Sequence, residues 1–330
     1  MLKYIIKRVL FLIPIMLGVI MIVFFIRAIT PGDPIDHLLS ENATEEQRQE
    51  LREELGLDQP LLVQFVLYIK DVVTGDLGTS YTTKQPVLDE LLTRLPISLT
   101  VCFGAVAIGV VIGVPLGTIS ALKQYSWTDS IIRILSMIAA ATPQFCLGLV
   151  LIMIFSVKLH WLPSVGLTGP ASFILPMASI GLTSLAQYTR ITRSSMLEVI
   201  RQDYIRTARA KGQTEGSITL HHALRNAFIP IMAQIGNQVG HQLGGALIVE
   251  TVFGMPGIGK YIGDAITARN FPAIQGGVLF LAFVFTLVNL LVDVSFVFIN
   301  PRLKSSILNS KPSRLDRWLK KRKQNIEAMV

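Results

Sequence analysis

Uncharged, mostly apolar runs alternate with charged segments along the chain: 18 residues over 9–26, 28 over 95–122, 24 over 134–157 and 24 over 226–249. A helix needs about 20 apolar residues to cross the hydrocarbon core of a bilayer. The pattern predicts an all-α polytopic membrane protein with six transmembrane helices, near 9–29, 96–122, 131–157, 171–189, 228–250 and 276–299. The fourth is the least regular, because His160-Trp161-Leu162-Pro163 and Gly169-Pro170 cut its apolar stretch into a loop and a shorter helix. Pro143 is expected to kink the third span, and Asp293 interrupts the sixth.

Composition agrees with that pattern. Of 330 residues 51% are hydrophobic and 16% charged, against about 25% charged in an average soluble domain. A soluble two-domain enzyme and a disordered chain are both excluded. The net charge of +8 would suit nucleic acid, but proteins of that class do not carry such apolar runs. Cys102 and Cys146 both fall within spans, so no disulfide framework is implied. Lys3, Lys7 and Arg8 ahead of the first run resemble a signal peptide. The run is longer than a signal core, however, and lacks a small-x-small cleavage pattern, so a retained first span is expected.

Charge also orients the chain, since Lys and Arg concentrate on the cytoplasmic side. With both termini cytoplasmic, that side holds 21 of the 30 cationic residues, while 28–94 carries 13 acidic residues against five basic ones. Four regions follow: 1–29 with the first span, an extracytoplasmic segment 30–95, a five-helix core 96–303, and a basic tail 304–330 whose default partner is anionic lipid. Within the outer segment, Thr44-Glu45-Glu46-Gln47 reads as a capping box opening a short helix that Gly56 stops. Its acidic surface reads as a solvated face, with a docking role as the alternative.

Gly109, Gly113 and Gly117 in the second span, and Gly236, Gly240 and Gly244 in the fifth, recur four apart as in closely packed membrane helices. In the fifth span Gln234, Asn237, Gln238, His241 and Gln242 share one arc. Polar groups facing lipid are costly, so the arc is expected to line a transport pathway, with interhelical hydrogen bonding as the alternative. Asp293, one turn after Asn289, is read as structural rather than as a proton relay. Gly254-Met-Pro-Gly-Ile-Gly259-Lys260 approaches a nucleotide phosphate loop, but Tyr261 replaces the required Ser or Thr and the topology puts it outside the cell. His221 and His222 are adjacent and point apart on a helix, a poor chelating geometry. No catalytic apparatus is visible.

The longest inner loop, 190–227, contains a short basic helix, Asp203-Tyr-Ile-Arg206-Thr207-Ala208-Arg-Ala-Lys-Gly212, with Gly212 as its stop. Arg206-Thr-Ala208-x-x-x-Gly212 followed by Asn226-Ala-x-x-Pro230 resembles the "EAA" loop of permease subunits of binding-protein-dependent ABC importers. Further segments resemble the dipeptide/oligopeptide/nickel branch: Pro31-Gly-Asp-Pro34, Leu55-Gly-Leu-Asp-Gln-Pro60, Gly75-Asp-Leu-Gly-Thr-Ser80, Glu250-Thr-Val-Phe-Gly-Met-Pro-Gly-Ile-Gly259, Phe271-Pro-Ala-Ile-Gln-Gly276, and Val292-Asp293 through Asn300-Pro-Arg302. The likeness covers about 1–303. Arg206 and Thr207 stand where the loop often has Glu and Ala, and Asn270 and Asn300 stand where Asp is common.

The resemblance implies a type I ABC importer permease fold in a bacterial or archaeal cytoplasmic membrane. It also implies a second homologous permease subunit, two ABC ATPase subunits carrying ATP and Mg, and an extracytoplasmic substrate-binding protein. No cofactor is expected in this chain. Arg206, Thr207, Ala208, Gly212, Asn226 and Pro230 would couple to the ATPase. The substrate would be peptide, with nickel or another chelated metal as the alternative. A stand-alone secondary transporter using Asp293 and His241 is a distant competing reading.

Overall fold

Inside a bilayer the backbone has no water to bond, so the chain must satisfy its own N–H and C=O groups, and helices do this locally. The computed structural model describes residues 2–29, 35, 44–54 and 56–299. Its elements are α1 (Leu2–Ile29), α2 (Glu45–Glu54), α3 (Leu61–Thr74), α4 (Val87–Leu122), α5 (Trp127–Ala141), α6 (Gln144–Leu151), α7 (Ile174–Ile200), α8 (Asp203–Ala210), α9 (Glu215–Ser217), α10 (Arg225–Val252), α11 (Ile258–Thr267) and α12 (Phe271–Ile299). A π-helical segment extends α6 through Ile152–Lys158, and another, Ile218–Leu224, leads into α10. The tail 304–330, the Pro31–Pro34 segment, Asn300 and the side chain of Asp293 lie outside the described residues.

Local chemistry sets several boundaries. The capping box forms as expected: Gln47 N–H donates to Thr44 Oγ1 (3.3 Å) and Thr44 N–H to Gln47 Oε1 (3.0 Å). Gly56, at φ +63°, then turns the chain after α2. Between α5 and α6, Thr142 is extended and Pro143 has no N–H to continue the ladder. The expected kink in the third span is therefore a full break, with α5 and the α6 unit bent by 104°. Helices also run past the apolar stretches: α4 begins at Val87, not near 96, and α7 continues to Ile200, deep into the region expected to be loop.

Among the described residues three helices are long and apolar enough to cross a membrane, at 9–27, 87–122 and 271–292, or four if the bent pair 127–158 counts as one. α7 and α10 have 27 and 28 residues but are too polar to meet that measure.

The tightest packing is between α4 and α7. A Cβ on Gly109 would approach Tyr188 at 2.9 Å, one on Gly113 the Leu185 carbonyl at 2.8 Å, and one on Gly117 the Thr189 carbonyl at 2.5 Å. These three glycines thus let two backbones meet. In α10 the stripe is uneven. Gly236 is buried and Gly240 abuts Asn289 and Phe285 of α12, but Gly244 has nothing within 4 Å. Gly244 is exposed, with open space beside it among the described residues.

Gly117→Leu should separate α4 from α7 and lower the thermal unfolding midpoint in detergent, with a loss of about 1–3 kcal/mol typical of overpacking. Gly244→Ala, made where there is open space, should leave the midpoint unchanged or raise it.

Candidate functional site

Three polar constellations punctuate the apolar bundle, at its α8 end, in its interior and at its α11 end.

The α8 end is an apolar floor made of Ala121, Met196, Ile205, Ala208, Ile218, Ala223 and Ala227, all buried. α8 lies on this floor as a short amphipathic helix. Ile205 and Ala208 point inward, one turn apart, while Tyr204, Arg206, Thr207 and Arg209 are exposed. Gly212 ends the helix at φ +78° with open space around it, and its N–H closes on the Arg209 carbonyl at 2.9 Å. Arg209 reaches across the turn to Glu215 through two contacts, 2.6 and 3.1 Å. That guanidinium holds the Glu215 carboxyl below its usual range. Ala208, expected to face a partner, is turned away from one: a small residue is needed there so that the helix can sit close to its own bundle. Asn226 is exposed and donates to the His222 carbonyl at 2.7 Å, and Pro230 is exposed on α10.

Beside this floor is an ion pair that the sequence pattern did not single out. Asp129, fully buried, accepts from Arg193 Nε at 2.8 Å and Nη2 at 2.9 Å, from Ser120 Oγ at 2.5 Å and from the Tyr125 N–H at 3.0 Å. Arg133 approaches at 3.6 Å. One carboxylate thus ties the end of α4, the start of α5 and the C-terminal half of α7. Ser120 and Tyr125 fill the lone pairs that the Arg193 guanidinium leaves.

In the interior the expected arc divides. Gln234 donates to Gln187 Oε1 at 3.0 Å, and Gln242 donates to Ser184 Oγ, both partners lying on α7. Gln238 is buried as well. Asn237 and His241 are exposed. The same helix therefore uses one edge of its polar arc for α7 and leaves the other open.

At the α11 end, Glu250 is fully buried and accepts from Ser98 Oγ at 2.6 Å, Gly259 N–H at 2.8 Å and Lys260 N–H at 3.2 Å. Ser98 Oγ in turn accepts from the Ile258 N–H at 2.9 Å. The first-turn donors of α11, free at any helix start, are all satisfied from within the chain. A Cβ on Gly257 would collide with the Glu250 carboxyl, which explains the glycine. The segment resembling a phosphate loop is thereby accounted for: its amides already hold a carboxylate. Nearby, buried Asn270 accepts from the Tyr81 N–H at 3.1 Å and donates to Ser80 Oγ at 2.8 Å, fastening the 79–86 turn to the start of α12. Here the amide supplies both a donor and an acceptor, which a carboxylate would not. Among the described residues no group of three His, Cys, Asp or Glu could hold a metal ion.

The family model described as "Binding-protein-dependent transport system inner membrane component" matches residues 113–305, and the corresponding N-terminal model matches 1–102. The dipeptide transport system permease protein DppB of Alkalihalophilus pseudofirmus is 39% identical over 92% of this chain and 100% of its own length. The glutathione transport system permease protein GsiC of Escherichia coli K12 is 40% identical, over 92% of this chain and 99% of its own. A solved structure of the MetNI methionine ABC transporter in an inward-facing conformation shares the fold, with a TM-score of 0.54 at 19% identity over 64% of this chain and 96% of that one.

Asp129→Asn should cost about 3 kcal/mol at neutral pH, as breaking a buried pair does, read as unfolding in detergent.

Proposed function

The chain belongs to the family of inner membrane components of binding-protein-dependent transport systems, and from that premise we propose that it forms half of the translocation pathway of an ATP-driven importer of small peptides. Six units cross the membrane in this reading: α1, α4, the broken α5–α6 pair, α7, α10 and α12, with both termini cytoplasmic. The placement of 21 of 30 cationic residues on one side supports it. A second, homologous permease chain completes the pathway. Two ATPase subunits, where ATP and Mg bind, engage the cytoplasmic face, and an extracytoplasmic binding protein delivers the substrate.

The observation that carries the coupling role is α8 itself: a helix whose inner side, Ile205 and Ala208, is seated on the bundle and whose outer side, Tyr204, Arg206 and Thr207, is exposed. Arg206, Thr207 and Gly212 form the contact surface in this reading, flanked by Asn226. Ala208 serves it from behind by fixing the helix to the floor. Motion of the ATPases then moves α8, and through Ile205 and Ala208 the ends of α4, α7 and α10.

Asn237 and His241 are the pathway-facing members of the α10 arc in this proposal, while Gln234, Gln238 and Gln242 hold the helix against its neighbours. Neutral amides suit the peptide backbone, which offers both donors and acceptors. The names of the relatives, dipeptide and glutathione permeases, point to short peptides as the cargo class.

Thr207→Trp should leave the unfolding midpoint of the assembled transporter unchanged, yet abolish ATP-driven uptake in proteoliposomes. Ala208→Trp should lower the midpoint, because it lifts the helix from its seat. Normal uptake by Thr207→Trp would overturn the coupling assignment. Calorimetry of the cognate binding protein with di- and tripeptides, and with a nickel chelate, tests the cargo: binding of the chelate alone would overturn the peptide reading.

A further inference from the structure

α3 fits none of the roles described so far. It has 14 residues, LLVQFVLYIKDVVT, about 21 Å at the usual rise per residue. That is too short to cross a hydrocarbon core of about 30 Å. A helix this apolar and this short is normally buried in a protein core, yet none of its residues is buried. Leu62 is 74% exposed, Val66 64% and Val73 79%. With Ile69 they recur at i, i+4, i+7 and i+11, a single stripe along one face. Lys70, Asp71 and Thr74 fall on the remaining surface, which they share with Val63 and Leu67.

The helix is not free to hang in water. Phe65 and Tyr68 stack on the last turns of α1, with ring centroids 5.2 Å apart for Phe24–Phe65, 5.9 Å for Phe25–Phe65 and 5.9 Å for Phe24–Tyr68. Those turns belong to an apolar stretch long enough to cross a membrane, ending at Arg27. On α1 itself Ile22, Phe25, Ile26 and Ile29 are exposed, so α1 and α3 both present apolar surface beside these ring contacts. Tyr68 and Arg27 line one cleft beside these rings, and tyrosine collects at the membrane–water interface. A short amphipathic helix at that depth, with lysine on its polar side, has the form of a helix lying in the plane of the membrane surface.

We propose that α3 is an interfacial helix embedded in the outer leaflet, with Leu62, Val66, Ile69 and Val73 among the lipid chains and Lys70 at the headgroups. The partner is phospholipid: the stripe is the edge of a lipid-facing surface that α1 already presents. The helix then anchors the outer module, since Gly75 (φ +86°) and the 76–86 turn follow it directly and reach Asn270 and α12. The leaflet, though not the lipid contact, rests on the topology proposed above.

The test uses the full chain co-purified with its transporter subunits and reconstituted in phosphatidylethanolamine–phosphatidylglycerol vesicles. A nitrobenzoxadiazole probe on Val66→Cys or Val73→Cys should show blue-shifted emission, quenched more by lipids spin-labelled near the headgroup than by lipids labelled deep in the chain. The same probe on Thr74→Cys should emit as in water. Tryptophan at 66, read with brominated lipids, repeats the measurement without the cysteine background of Cys102 and Cys146. Water-like emission at 66 and 73 would overturn the proposal. So would emission that is shielded but insensitive to every quenching lipid, which would mean that a protein subunit covers the stripe. Lys70→Cys with a membrane-impermeant maleimide tests the topology separately: labelling only from inside would refute the outer placement while leaving the lipid contact intact.

Discussion

The contact of α4 with α7 is the constraint on which the rest of this structure depends. Hydrophobic burial gives little drive for association between helices already in lipid, so close backbone approach and hydrogen bonds between helices must supply it. Gly109, Gly113 and Gly117 provide the first by leaving room for Tyr188 and for the Leu185 and Thr189 carbonyls. With α7 fixed along one side, its other residues acquire defined positions. Ser184 and Gln187 meet Gln242 and Gln234 of α10, and Arg193 meets Asp129. Met196 completes the floor under α8.

Each end of the bundle repeats one device, a buried carboxylate surrounded by donors from several elements. Charge in a buried place is costly unless every lone pair finds a partner. Asp129 finds a guanidinium, a hydroxyl and a backbone amide. Glu250 instead finds a serine and the start of a helix, whose aligned peptides favour negative charge. The first pair includes a full cation and the second has none within the contacts described, so the two joints differ in how they respond to substitution. Removing Arg193 would leave Asp129 with the longer Arg133 contact as its cationic partner, whereas at Glu250 the helix dipole would remain.

Much of this was legible from residue types. The Thr44–Gln47 cap and the stops at Gly56 and Gly212 follow from backbone chemistry over three or four residues, and each formed where expected. The glycine stripe of α4 was readable because its period matches a helix face, though the same period failed at Gly244. Spacing tells which residues share a face, not whether a neighbour lies opposite. For that reason the inward turn of Ala208 and the division of the α10 arc were hidden. Asp129 and Glu250 lie just beyond apolar runs, where a carboxylate reads as solvated. Their partners are 64 and 152 residues away in the chain, a distance no local pattern encodes. α3 escaped notice for the opposite reason, being too short for a span and too apolar for a loop.

The ion pair at Asp129 has one mechanical consequence. A bidentate guanidinium–carboxylate contact resists rotation as well as separation, because both of its bonds must lengthen together. The ends of α4, α5 and α7 are thereby welded into a single plate beneath the bundle, with α8 resting on its underside. The next break in the backbone ladder is at Pro143, which has no N–H to bond back into α5. The start of α5 is thus held to α4 and α7, while its far end meets α6 at 104° across a proline that carries no ladder bond.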